Sequence, residues 1–252
     1  VSKIITLNCT AGSIQDITAN LDPHDYDGDH YYMWDAQQQY WYGYEWTKNL
    51  GSGVGQPTIN NGLPGATTSS NYAKSNTDSR WFHEGSGAFQ ATHSCATLPN
   101  ANEMSWYCMA GDPHWDTNEL WTTMGHIYKG GMWFKKKSVL KAENNYDTEK
   151  SYDRLTDLRT TRKEYNNSSV SSDLPSAANA SNYFYLPTLG WYDCNSISNS
   201  CQLLGIGLNV GYWSSSADPS NNLQACSLAF SSVGVVVQFN SRSDGFIVGT
   251  FE

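Results

Sequence analysis

The stretch GDPHWDTNE, residues 111–119, sets Asp112, Asp116 and Glu119 around His114. Carboxylates grouped in this way suit paired acid–base chemistry, one group ionised and the other protonated. The same residues also suit helix ends, where a carboxylate faces free backbone N–H groups, and this is the simpler reading. His83-Glu84 begins an HExxH zinc motif but lacks its second histidine. Asp25, Asp27 and Asp29 in DYDGD resemble part of a calcium loop. The bidentate glutamate such a loop needs is missing, since position 36 is Ala. No GxSxG elbow or P-loop is present. The sequence therefore assigns no catalytic residue, no metal ligand and no cofactor.

Cys9, Cys95, Cys108, Cys194, Cys201 and Cys226 form no CxxC pair, so zinc-site spacing is absent. Cys194 and Cys201 flank the polar turn NSISNS. They form either a small-loop disulfide, worth about 2–3 kcal/mol in the chain-entropy model, or two free thiols at strand ends.

Only 15% of the 252 residues are charged, below the roughly 25% usual in soluble proteins. The 39% hydrophobic content still supplies a core. With 10 Trp and 16 Tyr, the surface must draw on Asn, Ser, Thr, Gly and Tyr. That mix suits extracellular β-rich binding proteins, in which aromatics give contact area and Ser/Asn give adaptable hydrogen bonds. The net charge of -9 argues against a nucleic-acid partner. The one basic run, Lys135-Lys136-Lys137, reads as a solvated strand end. No apolar run approaches the roughly 20 residues of a membrane span. Val1 opens directly on a strand-like stretch with no visible signal peptide, as a mature chain also would.

The elements that must position any site read as α+β with antiparallel sheets. SKIITLNC is strand-like. Residues 30–46 are dense in β-forming aromatics around a turn at 35–39. Trp34, Trp41 and Trp46 there make either a sugar platform or, more commonly, core. Residues 51–80 form a long loop rich in Gly, Ser and Asn. One helix follows Pro99, with Met104, Tyr107 and Cys108 in helical spacing, and stops at Gly111-Asp112-Pro113. A second helix is expected from Asp116, with Leu120, Met124 and Ile127 as its apolar stripe and Gly130-Gly131 as its stop. Residues 138–182 are polar and irregular, and short strands then return to the end of the chain.

In the last strands the apolar residues alternate. Leu228 and Phe230 fall on one face, and Ser227, Ala229 and Ser231 on the other. Val235, Val237 and Phe239 likewise oppose Val236 and Gln238. The Leu228 face is expected to be buried and the Ser227 face exposed.

Five segments together carry a family likeness: LPNANEMSWYCMAGDPHWD (98–116), LWTTMGHIYKGGMWFKKK (120–137), YFYLPTLGWY (183–192), GYWSSS (211–216) and RSDGF (242–246). In this order they resemble the C-type lectin-fold variable proteins of diversity-generating retroelements from gut anaerobes and their phages. The phage major tropism determinant is a more distant member. The likeness covers residues 80–252, leaving 1–79 as a β-rich N-terminal region. It implies a C-type lectin-like fold with two helices and antiparallel sheets. The implied function is a non-enzymatic, receptor- or ligand-binding display module whose C-terminal face, about 211–246, is rewritten by adenine-directed mutagenesis. The implied variable set is Leu223, Gln224, Ser227, Ala229, Ser231, Val236, Gln238, Phe239, Asn240, Ser241, Ser243 and Asp244, and Cys226 lies within the same stretch. The implied partner is a protein or glycan on a cell or phage-host surface, and the implied location is extracellular, on a cell surface or virion. The calcium-dependent EPN and WND sugar motifs are missing, so calcium-mediated sugar recognition is not implied. A fixed-specificity adhesin or glycan-binding module of the same fold is the alternative. An enzyme of the formylglycine-generating type is a third reading, without the paired cysteines expected of it.

Overall fold

A computed structural model describes residues 22–27, 31–48, 50, 55–57, 71–195 and 200–252. The strand expected over 2–9, Cys9, Asp29 and much of the 51–80 loop lie outside the described residues. The fold is mixed α+β, mostly sheet, with two α-helices among the described residues. In chain order the strands are β1 (His24–Asp25), β2 (Tyr31–Tyr32), β3 (His114–Thr123), β4 (His126–Lys135), β5 (Tyr165–Asn167) and β6 (Tyr183–Pro187). They continue with β7 (Trp191–Asn195), β8 (Ser200–Leu204), β9 (Asn209–Ala217), β10 (Gln224–Ser231), β11 (Gly234–Ser241) and β12 (Phe246–Ile247). The helices are α1 (Ala101–Ala110) and α2 (Lys137–Ala142).

The largest sheet has the order β2-β12-β9-β10-β11-β5. The period-2 pattern of its central hairpin fixes which side is core. Leu228 pairs with Val237 and Phe230 with Val235, and all four are buried. Against that face packs a second sheet, β1-β3-β4-β6. The rings of Phe134 from β4 and Phe230 from β10 meet at 5.5 Å. Both sheets are mainly antiparallel, with parallel pairing at β1–β3 and β12–β9.

Helix α1 lies on the same core. Asn100 caps it by accepting from the Glu103 N–H at 3.0 Å, and Glu103 accepts from the Asn100 N–H at 2.8 Å, a full capping box. Its Cys108 thiol donates to the Val235 carbonyl of β11 at 3.3 Å.

The helix expected from Asp116 does not form; β3 and β4 make a hairpin there instead. Trp115, Trp121, Thr122, Thr123, Tyr128, Trp133 and Phe134 favour a pleated surface. The two-residue turn Met124-Gly125 has φ of 52° and 72°, the doubly left-handed geometry of a type I′ hairpin. Asp116 still caps backbone, but within a strand irregularity: its Oδ1 accepts from the N–H groups of Asn118 and Glu119. Gly130-Gly131 is not a helix stop but mid-strand. Gly130 has φ +105°, and a Cβ on Gly131 would lie 2.3 Å from the Tyr185 hydroxyl. The second helix is the short α2, which starts on Lys137, so the basic run is not only a strand end: it spans the end of β4, the α2 N-cap and the first residue of α2.

The expected boundary near residue 80 does not divide the core. Strand β2 pairs with β12, and Tyr31 and Trp41 are buried in the same cluster as Leu228 and Phe134. Trp34 is buried as well, whereas Trp46 is 69% exposed.

Strand β9 carries YWSSS as scaffold. Trp213 is fully buried, donates to the Tyr32 carbonyl at 2.8 Å and stacks on Phe246 with ring centroids 4.4 Å apart. Ser214 accepts through its carbonyl from Trp34 Nε1, and Ser216 Oγ accepts from the Ala101 N–H. Removing a buried indole with these contacts leaves a cavity and an unpaired carbonyl. Trp213→Ala should lower unfolding free energy by about 3–5 kcal/mol, read by urea denaturation at unchanged m-value. An unchanged midpoint would show that Trp213 is not part of the scaffold.

Candidate functional site: a groove on the open face of the large sheet

The face of β9–β11 turned away from the core is covered over only part of its length. At one end Trp34, Ala91, Leu98, Trp213, Ala225 and Phe246 form a second apolar cluster above it. Beyond that cluster the sheet opens into a groove of about 530 Å³. Its floor follows from strand register. Gly211 pairs with Ala229, which pairs with Val236, which pairs with Asn166 of β5. Ser231 pairs with Asn209 one step along the same face.

The lining includes the carboxamides of Asn166, Asn209, Gln238 and Asn240 beside the small Gly211, Ala229 and Ser231. One wall is Trp191 with Phe246, their rings 6.4 Å apart and nearly perpendicular, together with Asp193 and Asp244. That wall is pinned by β7, whose Tyr192 exchanges both backbone hydrogen bonds with Gly245 at 2.9 Å. A Cβ at Gly245 would lie 2.9 Å from that of Tyr192, so only glycine permits the approach. Cys194 is disulfide-bonded and stands opposite Cys201 in the β7–β8 ladder.

Of the twelve expected positions, Ala229, Ser231, Val236, Gln238, Asn240 and Asp244 come together in this groove. Leu223 is exposed at the loop before β10, 64% accessible. Gln224, Ser241 and Ser243 are half-buried outside the groove. Gln224 accepts from Arg162 at 2.7 Å, and the hydroxyls of Ser241 and Ser243 bond each other.

Three expectations of exposure are corrected. Ser227 lies on the open face but is fully buried; its register partner is Trp213, at the covered end, and its hydroxyl donates to Asn240 Oδ1 at 2.8 Å. Phe239, in the implied variable set but on the Val235 and Val237 face by alternation, points to the core as the alternation has it, with the Arg162 guanidinium 4.7 Å over its ring. Asp244 lines the groove yet is only 7% exposed, because its Oδ1 accepts from the Cys194 N–H at 3.0 Å. Cys226, opposite Phe239, is buried on the core side and belongs to the scaffold.

The RSDGF motif builds the wall rather than meeting solvent. Arg242 is fully buried, its guanidinium 4.8 Å over Trp34 and 4.9 Å over Phe89. Its Nε donates to the Gln224 carbonyl, and its Nη1 to the carbonyls of His83 and Gly85. Sequence reading missed Trp191, Asp193, Asn166 and Asn209 as groove residues. Only the docking of β5, β7 and β9 around β10–β11 brings them there.

This α+β fold, with one sheet face buried and the other forming a polar groove with an aromatic wall, has the form of a binding site. No family model, curated protein or solved structure matches the chain. Among the described residues no helix is long and apolar enough to cross a membrane.

Burial pushes the Asp244 carboxyl up to about 7, with Asp193 adding to the rise and the Cys194 N–H opposing it. The unfolded chain releases this proton near pH 4. Between about pH 4 and 7 the folded protein therefore holds a proton the unfolded chain has lost. This group's favourable contribution is complete below pH 4, declines as pH rises to 7, and is constant above. Asp244→Asn keeps an acceptor for Cys194 and removes the titration. The variant should gain melting temperature relative to wild type at pH 8 and gain little at pH 4. Parallel melting profiles of the two proteins across this range would contradict the assignment.

Proposed function

We propose that this chain is a non-enzymatic display module of C-type lectin-like fold that binds a protein or glycan ligand in the β9–β11 groove. Its groove positions are those rewritten by retroelement mutagenesis. The observation that carries the reading is the separation of roles within one hairpin. Leu228, Phe230, Val235 and Val237 are buried on one side, while Ala229, Ser231, Val236 and Gln238 are partly accessible on the other. Substitutions on the accessible side cost about 0.5 kcal/mol or less. A truncation on the buried side costs about 2–5 kcal/mol. Binding residues can thus change while the fold does not. The protein acts on a cell surface or virion, where repeated copies supply the avidity that small side chains do not.

The thiols weigh against the formylglycine-generating type of enzyme. Cys95, Cys108 and Cys226 are free and buried, and burial pushes the thiols of Cys108 and Cys226 up to about 12. A thiol held protonated is a poor nucleophile.

A fixed-specificity glycan-binding module is favoured by one observation, the Trp191 wall beside Asp193, Asp244 and the carboxamides. An indole face and convergent polar groups suit a sugar ring. The gene separates the two readings. Under retroelement diversification, a near-copy of its 3′ end lies nearby and differs mainly at adenines.

The direct test is a library randomised at Ala229, Ser231, Val236 and Gln238, scored for melting and for binding to a panel of cell surfaces. Display predicts melting close to the parent in most members together with changed partners. Widespread unfolding, or one unchanged binding profile throughout, would overturn it.

A further inference from the structure

Outside the groove, the fold joins three side chains that are far apart in sequence: Asp35, His83 and His93. Their potential ligand atoms all lie within 4.8 Å of one another. Asp35 Oδ2 is 2.7 Å from His83 Nδ1 and 3.5 Å from His93 Nδ1. The two imidazole rings meet edge to face at 5.0 Å.

The carboxylate is fixed before any ligand arrives. Its Oδ1 accepts from the N–H groups of His93 and Cys95, and its Oδ2 from that of Thr92. Asp35 itself has φ +51° and is fully buried. His83 is held from behind: its N–H donates to the Trp34 carbonyl, its carbonyl accepts from Arg242 Nη1, and its ring stacks over Trp34. Neighbouring Glu84 turns away to accept from Trp81 Nε1 and Asn76 Nδ2. The side chains of His83 and His93 remain 28% and 37% exposed, so the cluster opens to water on the imidazole side.

We propose that Asp35 Oδ2, His83 Nδ1 and His93 Nδ1 form a binding site for a divalent transition metal of the zinc class, with water in the fourth position. Two imidazoles and one carboxylate are a donor set for zinc; calcium and magnesium take oxygen shells. Donor atoms each about 2.1 Å from a tetrahedral zinc are about 3.4 Å apart. The His93 distance already has this value, and His83 meets it by opening its present hydrogen bond by under an ångström. Backbone N–H bonds to the ligating carboxylate are the outer-shell support that such sites use. Metal binding would fasten the turn at Asp35 to the segment 83–93. That segment abuts the β9–β10 loop, where Gly87 N–H donates to Asn222 Oδ1 beside exposed Leu223. The metal therefore braces one rim of the display face.

The test uses the full chain, stripped with chelator and titrated with zinc chloride by calorimetry, with cobalt absorption as a second readout. The expected result is one equivalent bound per chain, a raised melting temperature, and a tetrahedral cobalt spectrum without thiolate charge-transfer bands. His93→Ala, whose ring is the most exposed of the three, should fold normally and bind at least tenfold more weakly. His83→Gln should do the same, while His126→Ala should bind as wild type. Calcium and magnesium should leave the melting temperature unchanged. No saturable zinc binding, or binding undiminished in His93→Ala, would show that the cluster is only a hydrogen-bonded loop anchor.

Discussion

The stack of Trp213 on Phe246 decides what the open face of the large sheet becomes. A six-stranded sheet exposing one whole face would present a broad surface of mixed polarity. The stacked pair, with Trp34 and Phe89 above it, closes one end of that face. The other end is left as a groove. The stack also sets the height of the wall: a Cβ at Gly211 would lie 2.4 Å from the Phe246 ring, so the strand beneath must be smooth where Phe246 crosses it. Arg242 packs its guanidinium against both Trp34 and Phe89, whose rings meet edge to face at 5.3 Å, and donates to backbone carbonyls.

From this follows a division of labour along a short stretch of chain. Residues whose side chains bond or stack into the scaffold, such as Ser227, Phe239 and Arg242, and Gly245, whose backbone pairs with Tyr192, are interspersed with residues that face the groove. Much of the groove floor is small or carries carboxamides, which can donate and accept without a fixed charge. Two carboxyl groups, of Asp193 and Asp244, stand in the wall beside Trp191 and Phe246. Asp244 has one oxygen committed to Cys194, and so couples the groove to the disulfide-bearing β7.

What the sequence made legible was local. The alternation in β10 and β11 gave the buried face directly, because a period of two leaves no other choice once Leu228 and Phe230 are taken as core. Helix α1 was legible from Pro99 and the stop at Gly111. The segment after Asp116 misled because Leu120, Met124 and Ile127 happen to fall at helical spacing. The signal against a helix was the aromatic and β-branched content, with a Met-Gly turn less obvious than Asn-Gly. Burial at Phe239 was legible from its alternation with Val235 and Val237, against its place in the implied variable set. Burial at Ser227 and Asp244 was not legible, since it comes from Trp213 and β7, which are distant in sequence. The same holds for Asp35, His83 and His93, whose separations of 48 and 58 residues follow no ligand motif. Only a fold that brings two loops over Trp34 makes them neighbours.

The central claim is that the core face of β9–β11, with the covered end of the opposite face, specifies the fold, while the groove positions of that opposite face are free to vary. A saturation scan of residues 209–246, read only by the amount of folded protein displayed, tests it most directly because no ligand need be known. The account predicts tolerance with a period of two: broad at Ala229, Ser231, Val236 and Gln238, and narrow at Leu228, Phe230, Val235 and Val237. It also predicts narrow tolerance at Trp213, Ser227, Arg242, Gly245 and Phe246. Uniform tolerance across the hairpin, or intolerance at the groove positions equal to that of the core, would contradict it.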